Sequence, residues 1–257
     1  MIIRETEHEI TMVRQHDHAQ LSGDVARNFK NYFINDPFFD DLIFAVYQHD
    51  LGWIRLDATP IWNDRNSVPF SFIDYPLLPK LTHYTYGLDQ IERMNKYAGL
   101  LCSLHYSSFG IFQNSTIEEC SDFSNNELQR QQRIITELDL TNHNDIFKQF
   151  KLLQLCDVIS LYVCLNCPGV SKEQEHPRYR TGFEDSELFN NQSNGRLVAE
   201  WMNNKEIKIT PNPFDKGFST NLLQKNLSKK LIKEHGIEKA YKDSEWVNQE
   251  IIFVGRS

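Results

Sequence analysis

One segment restricts the fold of this chain more than any other, because it places a carboxylate on the apolar side of a long helix. Over residues 145–166, apolar side chains recur at spacings of three and four, and Asp157 lies among them. A carboxylate that faces a core without a partner costs several kcal/mol, so it is normally paired or bound to a cation. The fold must therefore bring a partner to Asp157.

Two predicted helices near the start of the chain supply candidate partners. From His18, apolar residues recur every fourth position, which predicts a helix over residues 18–34. A capping aspartate and a proline suited to a first helical turn precede the second helix, which carries His49 on its apolar side. Asp50 follows directly. We expect these four side chains to gather into one metal site, provided that the second helix ends facing the metal.

The remaining patterns predict short helices, a long connection and a few strands. The connection over residues 52–79 is rich in proline and aromatic residues, and a connection of this length usually has a functional role. Further helices, the last of them basic, are predicted at residues 87–93, 97–107, 125–138 and 222–234. Strands are predicted at residues 1–4, 9–14, 197–202, 206–209 and 246–254.

These elements predict a mainly α fold. We expect a helical bundle with a small peripheral antiparallel β element, made from the N-terminal hairpin and the C-terminal strands. The chain divides into a hairpin edge over residues 1–15, a helical metal-binding domain over residues 16–167 and a small α/β appendage over residues 168–257. The last boundary is set by a Pro-Gly turn and by the polar composition that follows it.

Charge and composition exclude several classes of protein. Lys and Arg total 27 against 35 Asp and Glu, and the net charge of −8 disfavours binding to nucleic acid polymers and to anionic membranes. No segment approaches the roughly 20 apolar residues that span a bilayer. The five cysteines lack the spacing of a disulfide framework, which suits a reducing compartment. We therefore expect a cytoplasmic protein, and a homodimer is left open.

The order of the four site residues resembles a known superfamily. His18, then His49 with Asp50, then the distant Asp157 resemble the H…HD…D signature of the HD superfamily of metal-dependent phosphohydrolases. Four local motifs resemble the uncharacterised bacterial family DUF3891 more closely. They are QHDHAQLSG at residues 15–23, HDLGWI at 49–54, SFIDYPL at 71–77 and SLHY at 103–106. The resemblance implies an HD-like helical domain.

The resemblance also implies a cofactor and roles for particular residues. His18, His49, Asp50 and Asp157 would hold one or two divalent ions, whether Mn, Mg, Fe, Zn or Ni. Asp50 would bridge metals or hold the water that attacks phosphorus. Some relatives in the superfamily add histidines for a second metal, which makes His105 a candidate ligand or catalytic residue. His83 is a weaker candidate, and a surface histidine is the alternative.

Other side chains are candidates for supporting roles. His16 and Asp17 would orient an imidazole from behind, or would be ordinary turn residues. Lys80, Arg130 and Arg133 are candidate phosphate clamps, although a solvated helix face is the commoner role of such charges. Trp53 is a candidate aromatic wall for a substrate, or else simply packs in the loop.

Three functions remain open. The first is a metal-dependent phosphohydrolase that acts on a small phosphorylated metabolite or nucleotide through a metal-activated water. The second is a non-catalytic metal- and ligand-binding module with a sensory or structural role. The third is an iron-dependent lyase or oxygenase, which differs first in the identity of the metal, and ligand type alone does not decide that identity.

Overall fold

The structure contains several helices and one large β-sheet. A computed structural model describes residues 1–30, 36–113, 115–190 and 195–255. The helices are α1 (Gln15–Asn28), α2 (Phe39–Gln48), α3 (Leu77–Met94), α4 (Lys96–Ser107), α5 (Glu118–Glu137), α6 (His143–Leu165) and α7 (Lys229–Asp243). The strands are β1 (Ile2–Glu5), β2 (Glu9–Val13), β3 (Trp62–Asn63), β4 (Val68–Pro69), β5 (Val198–Trp201), β6 (Glu206–Thr210), β7 (Phe218–Ser228) and β8 (Trp246–Phe253).

The predicted helices that carry the site are confirmed, with shifted ends. Helix α1 ends at Asn28 because Phe29 turns to extended backbone and pairs with Phe214. The predicted continuation over residues 31–34 lies outside the described residues. Helix α3 begins at Leu77, well before the predicted start at residue 87, because a proline in the first helical turn loses no hydrogen bond.

The prediction of a mainly α fold is wrong. Strands from both ends of the chain form one six-stranded mixed sheet in the order β1-β2-β7-β8-β6-β5. Neighbouring strands are antiparallel, except that β6 runs parallel to β8. The N-terminal hairpin is confirmed, and it joins the C-terminal strands through the pairing of β2 with β7. The protein is therefore α/β, with a sheet larger than the small antiparallel element expected.

The largest single error concerns β7. A basic helix was predicted over residues 222–234, whereas the chain is a strand to Ser228 and a helix only from Lys229. Within β7, Thr220, Leu222 and Gln224 are buried while the residues between them are more exposed, which is the two-residue period of a strand. Pairing with β2 on one side and β8 on the other satisfies its backbone and outweighs local helix propensity.

Helix packing brings the predicted site residues together. Helix α1 packs against α2, α6 and β7, and α4 packs against α2 and α6. The chain leaves α2 and enters a short helical turn, Leu51–Trp53, which lies against α3. A Cβ added to Gly87 would lie 2.6 Å from the Cα of Gly52, so only two glycines allow this close approach.

The sheet and the helices share one hydrophobic cluster. Ile2 and Val13 of the hairpin, Leu222 of β7 and Phe253 of β8 belong to the same buried cluster as the apolar faces of α1, α2, α4 and α6. The division of the chain into three domains stays a prediction. Among the described helices, none combines the length and the apolarity that crossing a bilayer requires.

Candidate metal centre

Three side chains from three helical segments meet in the interior. His18 comes from α1, His49 from the residue after α2, and Asp157 from the middle of α6. One ligand atom from each of the three lies within 4.8 Å of the others. The Nε2 atoms of His18 and His49 lie 3.4 and 3.5 Å from Asp157 Oδ1. The convergence expected from the apolar faces is therefore present.

Asp50 completes the cluster, because α2 ends just before it. Its Oδ2 lies 3.0 Å from His18 Nε2 and 3.5 Å from His49 Nε2. Adjacent residues inside a helix diverge by about 100°, but here the backbone departs from helical geometry at Asp50, so both side chains face the same point. The hydroxyl of Tyr106 donates to Asp50 Oδ1 at 3.1 Å and fixes the orientation of the carboxylate.

The hydrogen bonds behind both imidazoles leave their front nitrogens as acceptors. His49 Nδ1 lies 2.7 Å from the carbonyl oxygen of Val46 and must donate to it. His18 Nδ1 lies 2.6 Å from Ser160 Oγ, whose own proton goes to the carbonyl of Asp157. Each Nε2 then presents a lone pair towards the carboxylates. His49 Nε2 has no hydrogen-bond partner among the described atoms although it is buried.

Four acceptor atoms facing one another need a positive charge between them. Burial lowers the pKa of His49, but the carboxylates of Asp50 and Asp157 outweigh burial and raise that pKa to about 9. Burial raises the pKa of Asp157, but His49 outweighs it and holds the pKa well below its ordinary value. A proton on His49 therefore supplies the charge when no cation is present. A divalent cation fits the same place, since imidazole and carboxylate are ordinary ligands for one.

This arrangement predicts that metal binding releases a proton. The raised pKa means that the folded protein without metal holds a proton on His49 at pH 7, and a cation at Nε2 must displace it. Metal affinity should rise by about tenfold per pH unit as the pH increases towards 9, and then level off. Calorimetric titration with Mn²⁺ in buffers of different ionisation enthalpy measures the protons released. Binding without proton release at pH 7 would contradict the assignment of His49 as a ligand.

The contact of Ser160 with His18 gives a second prediction. Ser160→Ala removes the acceptor that fixes the His18 tautomer, so we expect a 10- to 100-fold loss of metal affinity with little change in fold. Ser124→Ala is the matched control, because Ser124 lies on α5 and its hydroxyl serves only a carbonyl of its own helix. Equal affinities of the two variants in a Mn²⁺ titration would show that Ser160 does not orient His18.

His105 lies beside the cluster on α4. Its Nε2 is 3.7 Å from Asp157 Oδ2, and its ring makes edge contacts with His49 and Phe109. Burial lowers the pKa of His105 to about 4, so the ring is neutral at pH 7 and can ligate a cation. The structure thus brings His105 to the centre, as the sequence suggested.

A cavity of about 210 Å³ opens onto the cluster. Its polar walls include His18, Asp50, His105 and Asp157. Two further predicted side chains line it as well. Lys80 is buried, and Trp53 is buried with its ring edge-on to Tyr75 and Tyr84. The remaining walls are mostly apolar, and they are formed by Phe72, Tyr84, Phe109, Ile111, Val158 and Leu161, together with the polar side chains of Gln15 and Arg178.

Two predicted phosphate clamps lie elsewhere. Arg130 of α5 is paired with Asp89, Glu92 and Glu127, and Arg133 is paired with Glu92 and Glu137. Carboxylates of α3 and α5 therefore neutralise both guanidinium groups away from the cavity. The helical spacing that suggested a shared face is correct, but that face packs on α3.

Three predicted histidine and aspartate candidates also stand apart from the cluster. Asp17 is paired with Arg14 at 2.6 Å, so its carboxylate does not orient an imidazole. The ring of His16 contacts Gln20 on its own helix. His83 lies on α3 and is half-buried, and among the described residues no contact joins its ring to the four ligand candidates.

Sequence reasoning missed three residues of the site. Ser160 lies one helical turn after Asp157, so the periodicity of α6 could have indicated it. Tyr106 directly follows His105 and does not share its helical face, and the signal for it is the SLHY motif at residues 103–106. Arg178 lines the cavity from the short helical turn Pro177–Tyr179 beyond α6. No pattern marked that loop, because its place depends on how the tail folds back.

The fold and the site define an α/β protein with a buried His/Asp centre at the meeting of α1, α2 and α6. The family model described as "Protein of unknown function (DUF3891)" matches residues 1–229, so the chain belongs to this family. The match runs past the helical region and through β7. Neither a curated protein nor a solved structure shows a significant match to the chain.

Proposed function

We propose that this chain is a metal-dependent phosphohydrolase of the HD type, which acts on a small phosphorylated metabolite or nucleotide. One observation carries the proposal. Acceptor atoms of His18, His49, Asp50 and Asp157 converge in a buried cluster, and His49 Nε2 has no hydrogen-bond partner among the described residues. The order of these residues along the chain and their resemblance to the HD signature support the same conclusion.

The chain's own residues divide the work by their chemistry. His18, His49 and Asp157 would hold the cation, with two neutral nitrogens and one charge. Asp50, held by Tyr106, would accept a hydrogen bond from the attacking water and orient it. Neutral His105 would ligate a second cation or contact the substrate through Nε2, beside Asp157. A divalent cation in this place would lower the pKa of a water from about 15.7 towards 7.

The test is metal-dependent turnover. The purified protein would be screened with Mn²⁺ or Mg²⁺ against phosphomonoesters, phosphodiesters and nucleotides. Asp50→Asn is expected to lower kcat by about 10²- to 10⁴-fold, because it removes the group that orients the water. Asp17→Asn is the matched control, since it removes a carboxylate of α1 that pairs with Arg14 instead of with the cluster.

Two outcomes would count against hydrolysis. Absence of metal-dependent turnover across the screen would contradict the proposal. Tight binding of nucleotides or phosphate, with the ligand recovered unchanged, would instead favour a non-catalytic metal- and ligand-binding module.

A further inference from the structure

The cavity holds a buried lysine, Lys80, that forms no ion pair with a carboxylate of the described residues. Lys80 is 7% exposed and lines the same cavity as the metal-centre residues. Its Nζ donates to the carbonyl of Phe72 at 3.2 Å. Among the described residues, no carboxylate lies within ion-pair distance of this ammonium group. An ammonium group in such a place has donors left for a ligand, and burying it without an anion is costly.

Arg178, which follows α6 in the chain, lines the same cavity as Lys80. Arg178 is exposed, so it lies where the cavity opens to solvent. Its guanidinium makes no ion pair within the described ranges. Arg180, two residues on, differs because its Nε donates to the carbonyl of Glu175. Arg130 differs even more from Arg178, because three carboxylates pair with its guanidinium group.

The cavity that Lys80 and Arg178 line is small. About 210 Å³ is less than the roughly 300–1,000 Å³ typical of pockets for drug-sized ligands. Phe72, Phe109, Ile111 and Leu161 make much of the wall apolar, and beyond the metal centre and the two cations Gln15 and Tyr84 add few groups to recognise a sugar or a base. The cavity therefore fits a small ligand that carries one anionic group and is otherwise largely apolar.

We propose that Lys80 and Arg178 bind the phosphoryl group of a phosphomonoester smaller than a nucleotide, an inference that rests on the proposed function. A phosphomonoester carries a charge of about −1.5 to −2 at pH 7. Placed beside Asp50 and Asp157, it needs more positive charge than one divalent ion supplies. Lys80 contributes a point charge from inside, and Arg178 contributes a planar fork at the opening.

The binding test uses inorganic phosphate as the probe. Calorimetry on the metal-loaded protein would compare the wild type with Lys80→Met and Arg178→Gln. Each variant is expected to weaken phosphate binding by about tenfold or more, because each removes a charge-assisted hydrogen bond. Arg180→Gln is the matched control on the same turn and should bind as the wild type does. Metal content measured on the same samples should be unchanged in all variants.

If Lys80→Met does not fold, Arg178→Gln still tests the proposal. Methionine keeps the apolar stem of Lys80, and Arg178 is exposed, so the two variants test the subsite independently. Lys80→Arg should restore phosphate binding if the charge is what matters. Wild-type affinity in Arg178→Gln, or in a folded Lys80→Met, would overturn the proposal.

Substrate size is tested separately, with an aryl phosphate and a nucleoside 5′-monophosphate. We expect kcat/KM to be at least tenfold higher for the aryl phosphate, and Lys80→Met and Arg178→Gln to raise its KM. A preference for the nucleotide would overturn the size limit.

If the wild type binds phosphate through both cations but turns nothing over, the hydrolase proposal fails while the anion subsite stands. If turnover persists unchanged in both variants, the subsite fails while the hydrolase stands.

Discussion

Replacing Asp157 with asparagine is expected to lower the affinity for a divalent cation by at least about 100-fold. The change keeps the shape of the side chain but removes the charge that lies 3.4 and 3.5 Å from the two histidine Nε2 atoms. Loss of groups that merely orient a ligand already costs 10- to 100-fold, so loss of a ligand should cost at least the upper value. Titration with Mn²⁺ by calorimetry measures the change directly.

The same substitution should change the behaviour of His49. The raised pKa of His49 depends in part on Asp157, so Asp157→Asn should lower that pKa and reduce proton release on metal binding. Asp145→Asn is the matched control, because Asp145 lies on the same helix near its exposed start. A variant Asp157→Asn that binds Mn²⁺ as tightly as the control would remove Asp157 from the ligand set.

Substitution of Gly87 by alanine should damage the fold and the site together. A Cβ there would lie 2.6 Å from the Cα and N of Gly52, a backbone that cannot rotate away. Alanine gains about 1 kcal/mol of helix propensity, but overpacking typically costs about 1–3 kcal/mol, so we expect a net loss of up to about 2 kcal/mol. Asp50 lies two residues before Gly52, so metal affinity should also fall by about tenfold. Chemical denaturation and Mn²⁺ titration measure the two effects.

Gly110→Ala is the control for this prediction. No heavy atom of the described residues lies within 4 Å of a Cβ placed at Gly110, so Gly110→Ala should change the free energy of unfolding by less than about 0.5 kcal/mol. If Gly87→Ala is as stable as Gly110→Ala, then α3 and the turn after Asp50 are not held as closely as the structure indicates.

The helical part of the fold was predictable because its signals are local. The apolar repeats around His18 and Asp157 lie within single helices, and their period of 3.6 fixes which side chains face inward. Once four polar residues share inward faces, burial costs alone suggest that they meet. His105, which the resemblance made a candidate, also lies beside Asp157.

The sheet was less predictable because it depends on contacts between distant residues. β7 has a basic, helix-prone composition, and only its pairing with β2 and β8 makes it a strand. The hairpin and the C-terminal strands carried strand signals, but nothing local indicated that β6 would run parallel to β8. The mainly α prediction therefore failed at the two ends of the chain.

Roles that depend on partners were also out of reach of the sequence. Arg130 and Lys80 were equal candidates for binding phosphate, yet one is surrounded by carboxylates and the other faces the cavity. Arg130 of α5 is reached by Asp89 and Glu92 of α3, whereas Lys80 lies on α3 itself and donates to the carbonyl of Phe72. Arg178 was missed for the same reason, since its loop reaches the cavity only after the tail folds back.

Elemental analysis of the wild-type protein, dialysed against a trace-metal mixture and freed of loose ions, tests the central claim most directly. The structure predicts at least one divalent metal ion per chain, and its loss in a paired His49→Ala sample. No retained metal in the wild type, with a melting temperature unmoved by saturating Mn²⁺, Mg²⁺, Zn²⁺ or Fe²⁺, would show that the buried imidazoles and carboxylates are held together by protons alone.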